Sequence, residues 1–325
     1  MWAVSFLMAY AAAGMQPMAP PLLAAPQANP QSPASGPAPA LDPAQILAFQ
    51  SDPALRMTIP VLVGGVPHRF LVDTGAEHTG VSLELAHELA LPPESTLTVT
   101  GFAGTSHVPT VRVPMLEFAS GGARGLTALA FRRDDIGADG FLGLDVLAGK
   151  QVTFDFANMR MSVRKAPPGL RPTEVGPYGR ADIRVEHDRL VLTSARVENQ
   201  PVKALLDTGS SISVGNDALK QELIRRHKLG TAIPIRILSV TGEVIEGEYV
   251  VIKNIWVGDV LIRDMPVAFA GPEPFGQMGF EEKPALLLGM DALRVFDSVS
   301  IDFANHKVTF AKRFPADTYI RIIPS

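Results

Sequence analysis

The tripeptide Asp-Thr-Gly occurs twice in this chain, each time at the end of an apolar run. The two copies begin at Asp73 and Asp207 and follow the runs Phe-Leu-Val and Ala-Leu-Leu. At average composition, a chain of this length contains about 0.1 copies of such a tripeptide by chance. One carboxylate that an apolar strand delivers into a tight turn is costly to bury alone, but two together can share a proton and activate water. The repeated tripeptide therefore favours a fold that brings both loops to one place.

Composition sets the size class and excludes several kinds of partner. The 325 residues, 46% of them hydrophobic, are enough for two domains of ordinary size with a large core. The net charge is −4, and because Lys and Arg are scattered, we expect neither nucleic acid nor an anionic membrane as a partner. The absence of cysteine excludes a disulfide scaffold, thiol catalysis and a Cys-ligated metal.

The first Lys or Arg in the chain is Arg56, and the segment before it divides into two parts. Residues 1–25 are predicted to be a signal peptide or leader, because the apolar stretch 2–13 is too short to span a membrane. The usual positive region is missing apart from the terminal amine, so an N-terminal core helix or a start codon inside a longer leader remains an alternative. Residues 26–54 are rich in Pro and Ala and are predicted to form a disordered linker. We therefore expect export, to a bacterial periplasm, with no stable membrane span in the mature form.

The two halves of the chain repeat the same elements in the same order. Each half has a two-residue turn, a strand that ends at Asp-Thr-Gly, a helix, a hairpin, an apolar-apolar-Gly element and a final strand with a turn. The matched features are Gly64-Gly65 with Glu198-Asn199, Pro67 with Pro201, helix 83–91 after Ser82 with helix 218–228 after Asn216 and before Gly230, Leu142-Gly143 with Leu288-Gly289, and Asp155 with Asp302. The pattern predicts an internal duplication, with a first lobe at 55–165, a Pro/Gly connector at 166–180 and a second lobe at 181–325.

Duplication also repeats two other pairs of acids, Asp145 with Asp291 and Asp155 with Asp302. Members of the first pair follow a glycine and precede apolar residues, so we expect them to cap short helices. Members of the second pair alternate with Phe and Ile, so we expect them on the solvent face of a strand. Only Asp73 and Asp207 follow wholly apolar residues and precede small ones. The alternative for these two is an ordinary turn Asp that binds its own backbone.

Other hydrolytic chemistries have weaker support. His87-Glu88 begins like a zinc-protease motif, but Leu91 stands where the second His is needed, so His87 is expected to be an exposed helix residue. The chain has no Gly-x-Ser-x-Gly elbow and no phosphate-binding loop. We predict neither a metal nor a cofactor.

These motifs resemble the aspartic proteases, and the first copy, Leu71-Val72-Asp73-Thr74-Gly75-Ala76, is similar to the retropepsin-like branch. The resemblance covers nearly all of the chain after the linker. It implies a mainly β fold with short helices, in which two homologous pepsin/retropepsin-like lobes form a pseudo-dimer. It also implies that Asp73 and Asp207 are the catalytic pair, and that the loops are supported by Thr74, Gly75, Thr208 and Gly209. The apolar-apolar-Gly elements would cross behind the two loops.

Members of this family close a β-hairpin over the substrate. By resemblance, Gly101 and Phe102 lie at the tip of the first hairpin and Gly242 at the tip of the second. Neither tip carries the Tyr of the pepsins, which favours two fused retropepsin-like units. Because the second tip is acidic, the sequence leaves open whether it reaches the cleft.

The function implied by the resemblance is that of an aspartic endopeptidase. A water activated between Asp73 and Asp207 would hydrolyse a polypeptide substrate in a cleft between the lobes. The alternative is a noncatalytic peptide-binding module that keeps the fold. We expect a monomer with an internal pseudo-two-fold, although pairing of each half with another molecule also fits the sequence.

Overall fold

A computed structural model describes most of the chain after residue 55. The described residues are 5–6, 46–48, 50–51, 56–101, 104–119, 121–166, 178–186, 189–258, 260–270, 273–276 and 279–311. Most of the predicted leader and linker, most of the connector, and Phe102 lie outside these ranges. Two short strands, Ile46–Ala48 and Gln50–Ser51, fall within the segment predicted as linker.

The first half forms a curled nine-stranded sheet in which six strands close into a barrel-like ring. The strands of this half are β1 (Ser5–Phe6), β2 (Ile46–Ala48), β3 (Gln50–Ser51), β4 (Met57–Val63), β5 (Val66–Val72), β6 (Gly80–Ser82), β7 (Pro93–Gly101), β8 (Gly104–Phe118), β9 (Gly121–Phe131), β10 (Gly140–Leu142), β11 (Lys150–Asp155) and β12 (Arg160–Lys165). Its helices are α1 (Leu83–Glu88), α2 (Arg133–Ile136) and α3 (Leu144–Leu147). The ring runs β8-β9-β6-β10-β5-β4 and closes through the pairing of β4 with β8.

The second half builds the same ring from equivalent strands. Its strands are β13 (Tyr178–Glu186), β14 (Arg189–Val197), β15 (Gln200–Leu206), β16 (Val214–Gly215), β17 (Ala232–Leu238), β18 (Val244–Val257), β19 (Val260–Phe269), β20 (Ala285–Leu288), β21 (Ser298–Asp302) and β22 (Lys307–Ala311). Its helices are α4 (Asp217–Arg225), α5 (Glu273–Gly276) and α6 (Met290–Leu293). The ring runs β18-β19-β16-β20-β15-β14 and closes through the pairing of β14 with β18. The predicted mainly β fold with two related lobes is confirmed.

Two-residue turns set the register of the hairpins that lead to each Asp-Thr-Gly. Gly64 and Gly65 have φ values of 62° and 83°, and Glu198 and Asn199 have values of 46° and 66°. Two successive left-handed residues are the signature of the type I′ turn, whose twist matches that of the flanking strands. The hairpins predicted at these dipeptides are confirmed, with β4 pairing with β5 and β14 with β15.

The N-caps predicted for α1 and α4, the helices that follow the two Asp-Thr-Gly loops, are also confirmed. The side chains of Ser82 and Asn216 each accept a hydrogen bond from the backbone N–H three residues on, at 3.0 and 2.9 Å. The predicted stop at Gly230 is wrong, because α4 ends at Arg225 and the chain already turns left-handed at His227, with φ of 54°. At nine residues, α4 is the longest helix in the described ranges. No helix in those ranges has the length and apolar character that crossing a bilayer requires.

The final hairpins of the two halves join into one sheet between the lobes. Strand β11 pairs antiparallel with β21, so that Thr153 faces Ser300 and their hydroxyls lie 2.9 Å apart. On the inner face, Phe154 and Ile301 are fully buried in a hydrophobic cluster that contains residues of both halves. Burying each such side chain stabilises the fold by about 1.5–3 kcal/mol. The two lobes therefore share a continuous core as well as a sheet.

Candidate active site

Both Asp-Thr-Gly loops emerge from strands in the middle of their rings. Strand β5 pairs in parallel with β10, and the N–H of Asp73 donates to Leu142 O at 2.9 Å. In the second half, β15 pairs in parallel with β20, and the N–H of Asp207 donates to Leu288 O at 3.0 Å. The residues Asp73 and Asp207 are 0% and 1% exposed. Equivalent strand pairs thus deliver one buried aspartate from each lobe.

The threonines of the two loops bind each other across the lobes. The N–H of Thr74 donates to Thr208 Oγ1 at 3.0 Å, and the N–H of Thr208 donates to Thr74 Oγ1 at 3.1 Å. The hydroxyls donate onward to the strands opposite, from Thr74 to Leu206 O at 3.0 Å and from Thr208 to Val72 O at 2.6 Å. This reciprocal network fixes the position of one loop relative to the other, as predicted for the two threonines.

The glycines allow the two carboxylates to approach closely. Gly75 N–H donates to Asp73 Oδ1, and Gly209 N–H donates to Asp207 Oδ1, both at 2.8 Å. A Cβ on Gly75 would lie only 2.5 Å from the carboxyl carbon of Asp207, and a Cβ on Gly209 would lie 2.3 Å from Asp73 Oδ2. Each glycine therefore lies against the carboxylate of the other loop, and a side chain at either position would displace it.

This arrangement brings two buried carboxylates to the junction of the lobes. Two ionised carboxylates so close repel each other, which favours a state in which the pair shares one proton. The ionised member can accept a proton from water while the protonated member donates a hydrogen bond. The geometry is therefore suited to activating a water molecule.

The apolar-apolar-Gly elements cross directly behind the loops. A Cβ on Gly143 would lie 2.5 Å from the carbonyl carbon of His78, and a Cβ on Gly289 would lie 2.4 Å from Ile212 O. The next residues donate to the loops, from Leu144 N–H to Ala76 O and from Met290 N–H to Ser210 O, both at 2.8 Å. The predicted crossing is present in both halves.

The prediction that Asp145 and Asp291 cap helices is wrong. The glycines that precede α3 and α6 occupy the cap positions, and neither makes a side-chain cap. Instead, Asp145 accepts hydrogen bonds from Thr79 N–H and Oγ1 at 2.9 and 2.6 Å. Asp291 accepts from Ser213 N–H and Oγ at 2.8 and 2.7 Å. Both aspartates therefore clamp the segment that follows the active-site loop, a contact that the local sequence did not reveal.

The prediction that Asp155 and Asp302 face solvent is wrong for the second residue. Asp302 is only 2% exposed and accepts hydrogen bonds from the backbone and side-chain N–H groups of Asn305. Asp155 makes the same two bonds with Asn158. Both acids stabilise the turn between the strands of a final hairpin and lie outside the site.

The two hairpins predicted as flaps differ in structure. In the first, formed by β7 and β8, Gly101 pairs with Gly104 at the end of the ladder, while Phe102 lies outside the described residues. In the second, formed by β17 and β18, Gly242 lies in the turn with φ of 86° and donates its N–H to Ser239 O at 2.9 Å. Both glycines thus occupy hairpin ends, as predicted.

The tip of the second hairpin crosses to the first lobe. Val240 is fully buried in an apolar cluster whose other members all belong to the first half, namely Leu71, Ala76, Val99, Val108, Leu129, Phe131, Ile136, Ala138 and Phe141. Gly242 lies beside α2, where an added Cβ would be 3.3 Å from Asp135 Oδ1. The second tip therefore contacts the first lobe, and Val240 makes a contact there that sequence reasoning missed.

Acidic groups surround this contact. Burial raises the pKa of Asp135 above its ordinary value, Arg132 opposes the increase, and Asp134, Glu243 and Glu84 add to it. Glu243 belongs to the second hairpin and the other groups belong to the first half, so like charges meet across the junction. Protonation of Asp135 therefore favours the contact.

No set of metal ligands accompanies the carboxylates. Within the described ranges, no group of three or more His, Asp or Glu could hold a metal ion. His87 is exposed on α1, as predicted.

Comparison with known families agrees with this geometry. Residues 59–146 and 193–292 match the family model described as aspartyl protease. Each region contains one Asp-Thr-Gly loop, the two together cover more than half of the chain, and their separate matches fit a duplication. No curated protein matches the chain. The chain therefore belongs to the aspartyl protease family.

Proposed function

We propose that this chain is an aspartic endopeptidase that hydrolyses peptide bonds with a water activated between Asp73 and Asp207. The observation that carries the proposal is the interlocked pair of loops, in which each buried carboxylate lies against the glycine of the other loop. A binding module has no need of two buried acids held in this way, because burying them is costly without a chemical use.

In the proposed reaction, the ionised member of the pair takes a proton from water, and the resulting hydroxide attacks the peptide carbonyl carbon. The protonated member donates a hydrogen bond to the developing oxyanion and later helps to protonate the leaving nitrogen. Because the proton belongs to the pair, the roles of Asp73 and Asp207 are not divided between them. No covalent intermediate forms.

Both aspartates are buried, so a substrate can reach them only after the site opens. The hairpin strands offer backbone N–H and C=O groups to an extended peptide, which would bind by β-strand addition. We therefore propose a metal-independent enzyme that acts on extended, unstructured polypeptide.

The first test is cleavage of casein between about pH 4 and pH 8, with and without pepstatin. Asp73→Asn and Asp207→Asn should abolish cleavage while leaving the fold intact. The matched control is Asp217→Asn, since that side chain is exposed on α4 and lies outside the pair. The proposal fails if the Asn variants cleave as the wild type does. A folded wild type that binds peptides without cleaving them would support the binding module.

Export and the monomeric state are further parts of the proposal. N-terminal sequencing of the protein recovered from a periplasmic fraction would show where the leader is removed. Because both aspartates come from one chain and their loops bind each other, the monomer should be active. Light scattering across a dilution series, with activity measured in parallel, would reveal a requirement for dimers.

A further inference from the structure

Asp291 lies behind the second active-site loop and holds three hydrogen-bond donors. Its carboxylate accepts from Ser213 N–H at 2.8 Å, from Ser213 Oγ at 2.7 Å and from Ala292 N–H at 2.7 Å. A carboxylate can accept about four hydrogen bonds, so these three use most of its capacity. Asp291 therefore anchors the segment that follows the loop to helix α6.

The anchored segment is connected directly to Asp207. Ser213 Oγ accepts a hydrogen bond from Gly289 N–H at 3.0 Å, and the next residue, Met290, donates its N–H to Ser210 O. Ser210 in turn donates its N–H to Asp207 Oδ1 at 3.1 Å. A shift at Ser213 would therefore reach the catalytic carboxylate through a short chain of backbone contacts.

The corresponding clamp in the first lobe has a histidine that the second lacks. The ring nitrogen Nδ1 of His78 lies 3.8 Å from Asp145 Oδ2, and the nearby Asp145 carboxylate raises the pKa of His78, although burial opposes the increase. Ile212 occupies the equivalent position in the second lobe. The titratable group that faces Asp291 is Tyr249 on β18, and burial and Asp291 both raise the pKa of its phenol, which stays neutral.

We propose that Asp291 is a positioning residue of the active site, which in its ionised form holds the Asp207 loop through Ser213. The inference rests on the proposed function. Asp145 performs the equivalent task in the first lobe, where His78 lies beside it. The two halves of the site therefore differ in the residues around this clamp, although their catalytic loops are alike.

Protonation of Asp291 would disturb these contacts. A protonated carboxyl group must donate its own hydrogen bond, and if it donates to Ser213 Oγ, the hydroxyl of Ser213 can no longer donate to that carboxyl oxygen and loses its acceptor. Burial raises the pKa of Asp291 to about 6, although the hydrogen bonds from Ser213 and Ala292 oppose the increase. The change therefore falls within the range over which the enzyme would be assayed.

The test compares Asp291→Asn with wild type across pH 5 to 7, using a peptide substrate identified by the casein assay. We expect kcat to fall by between about tenfold and about a hundredfold, with KM changed less than about twofold, because the loss lies in alignment. The step in the wild-type pH profile near pH 6 should disappear. Ser213→Ala, which removes one link and perturbs the fold less, should reproduce part of the loss, and Asp217→Asn should leave the profile unchanged.

A second readout does not depend on turnover. The backbone amide resonances of Ser213 and Ser210 should titrate together near pH 6 in wild type and lose that titration in Asp291→Asn. If they do so in a protein that cleaves nothing, the positioning role stands and the proposed function fails. The inference is overturned if folded Asp291→Asn and Ser213→Ala both keep the wild-type kcat and pH profile, or if the Ser210 amide shows no such titration.

Discussion

The hydroxyl of Thr208 donates a hydrogen bond of 2.6 Å to the carbonyl oxygen of Val72, in the strand that delivers the aspartate of the other lobe. The same oxygen atom, Oγ1, accepts from Thr74 N–H. One side chain in the second half thus satisfies two buried backbone groups in the first half. Because buried backbone groups without partners are costly, the fold depends on this hydroxyl.

Thr208→Val should therefore destabilise the protein while keeping the volume of the side chain. Each of the two backbone groups would lose its partner at a cost of about 1–3 kcal/mol, giving a total of about 2–6 kcal/mol. Urea unfolding measures the change in the free energy of unfolding. Thr208→Ser keeps the hydroxyl and should recover most of the loss; equal destabilisation by Ser and Val would show that the methyl group matters instead.

Gly209→Ala should lower kcat/KM far more than a glycine-to-alanine change at a position with free space around it. The new Cβ would lie 2.3 Å from Asp73 Oδ2, a distance that real Cβ contacts do not reach, so the carboxylate or the loop must shift. We expect at least a hundredfold loss of kcat/KM, since a displacement of about 1 Å can have that effect. The control is Gly230→Ala, whose Cβ would meet its nearest atom at an ordinary 3.5 Å. Similar activity in both variants would contradict the close approach.

The sequence predicted the parts of the fold and site that depend on neighbouring residues. The type I′ turns at 64–65 and 198–199 and the N-caps at Ser82 and Asn216 follow from the preferences of those residues alone. The Asp-Thr-Gly loops were found because the residues that shape each loop are adjacent in the chain. Their contact across the lobes followed only from the resemblance.

The parts that the sequence missed depend on residues far apart in the chain. Asp145 binds Thr79 from 66 positions away, so its local sequence, which resembles a helix cap, was misleading. Val240 packs into the opposite lobe, and the acidic residues beside it concealed that contact. The buried Arg56 donates a hydrogen bond to Ile136 O, which lies 80 residues further along the chain, so the residues next to Arg56 do not predict this contact.

Val240→Ala should loosen the tip of the second hairpin. The lost contacts with the first-lobe cluster should favour opening by about 1–2 kcal/mol, because removing buried methyl groups forfeits their transfer free energy and leaves a cavity. The chain contains no cysteine, so a dye pair attached at Thr241→Cys in the hairpin tip and Glu117→Cys, an exposed position in the first lobe, would report the separation by fluorescence transfer. The control, Val244→Ala, changes a valine that is 59% exposed and should leave the separation unchanged. An unaltered separation in Val240→Ala would show that other contacts hold the tip.

The same dye pair should report a pH dependence at this junction. Because the pKa of Asp135 is raised in the folded, closed form, that form binds the proton more tightly than the open one. Closure should therefore be favoured at low pH and weaken as pH rises from about 4 through the raised pKa. Asp135→Asn should remove most of the change, and Glu243→Gln should reduce it by removing one repulsive partner. A dependence that persists unchanged in Asp135→Asn would assign it to another group.

Asp291 should also make the free energy of unfolding depend on pH. Its folded pKa of about 6 exceeds the value of about 3.9 expected in the unfolded chain, so between these values the folded state holds more protons. Stability should accordingly fall as pH rises through this window, by at most about 3 kcal/mol and by less where solvent screens the charge. Asp291→Asn cannot titrate, so the free energy of unfolding of wild type minus that of this variant should fall from pH 4.5 to pH 7. Urea unfolding at several pH values measures that difference. A constant difference would mean that Asp291 titrates alike in both states, and the wild-type pH profile would then show no step near pH 6 that is due to Asp291.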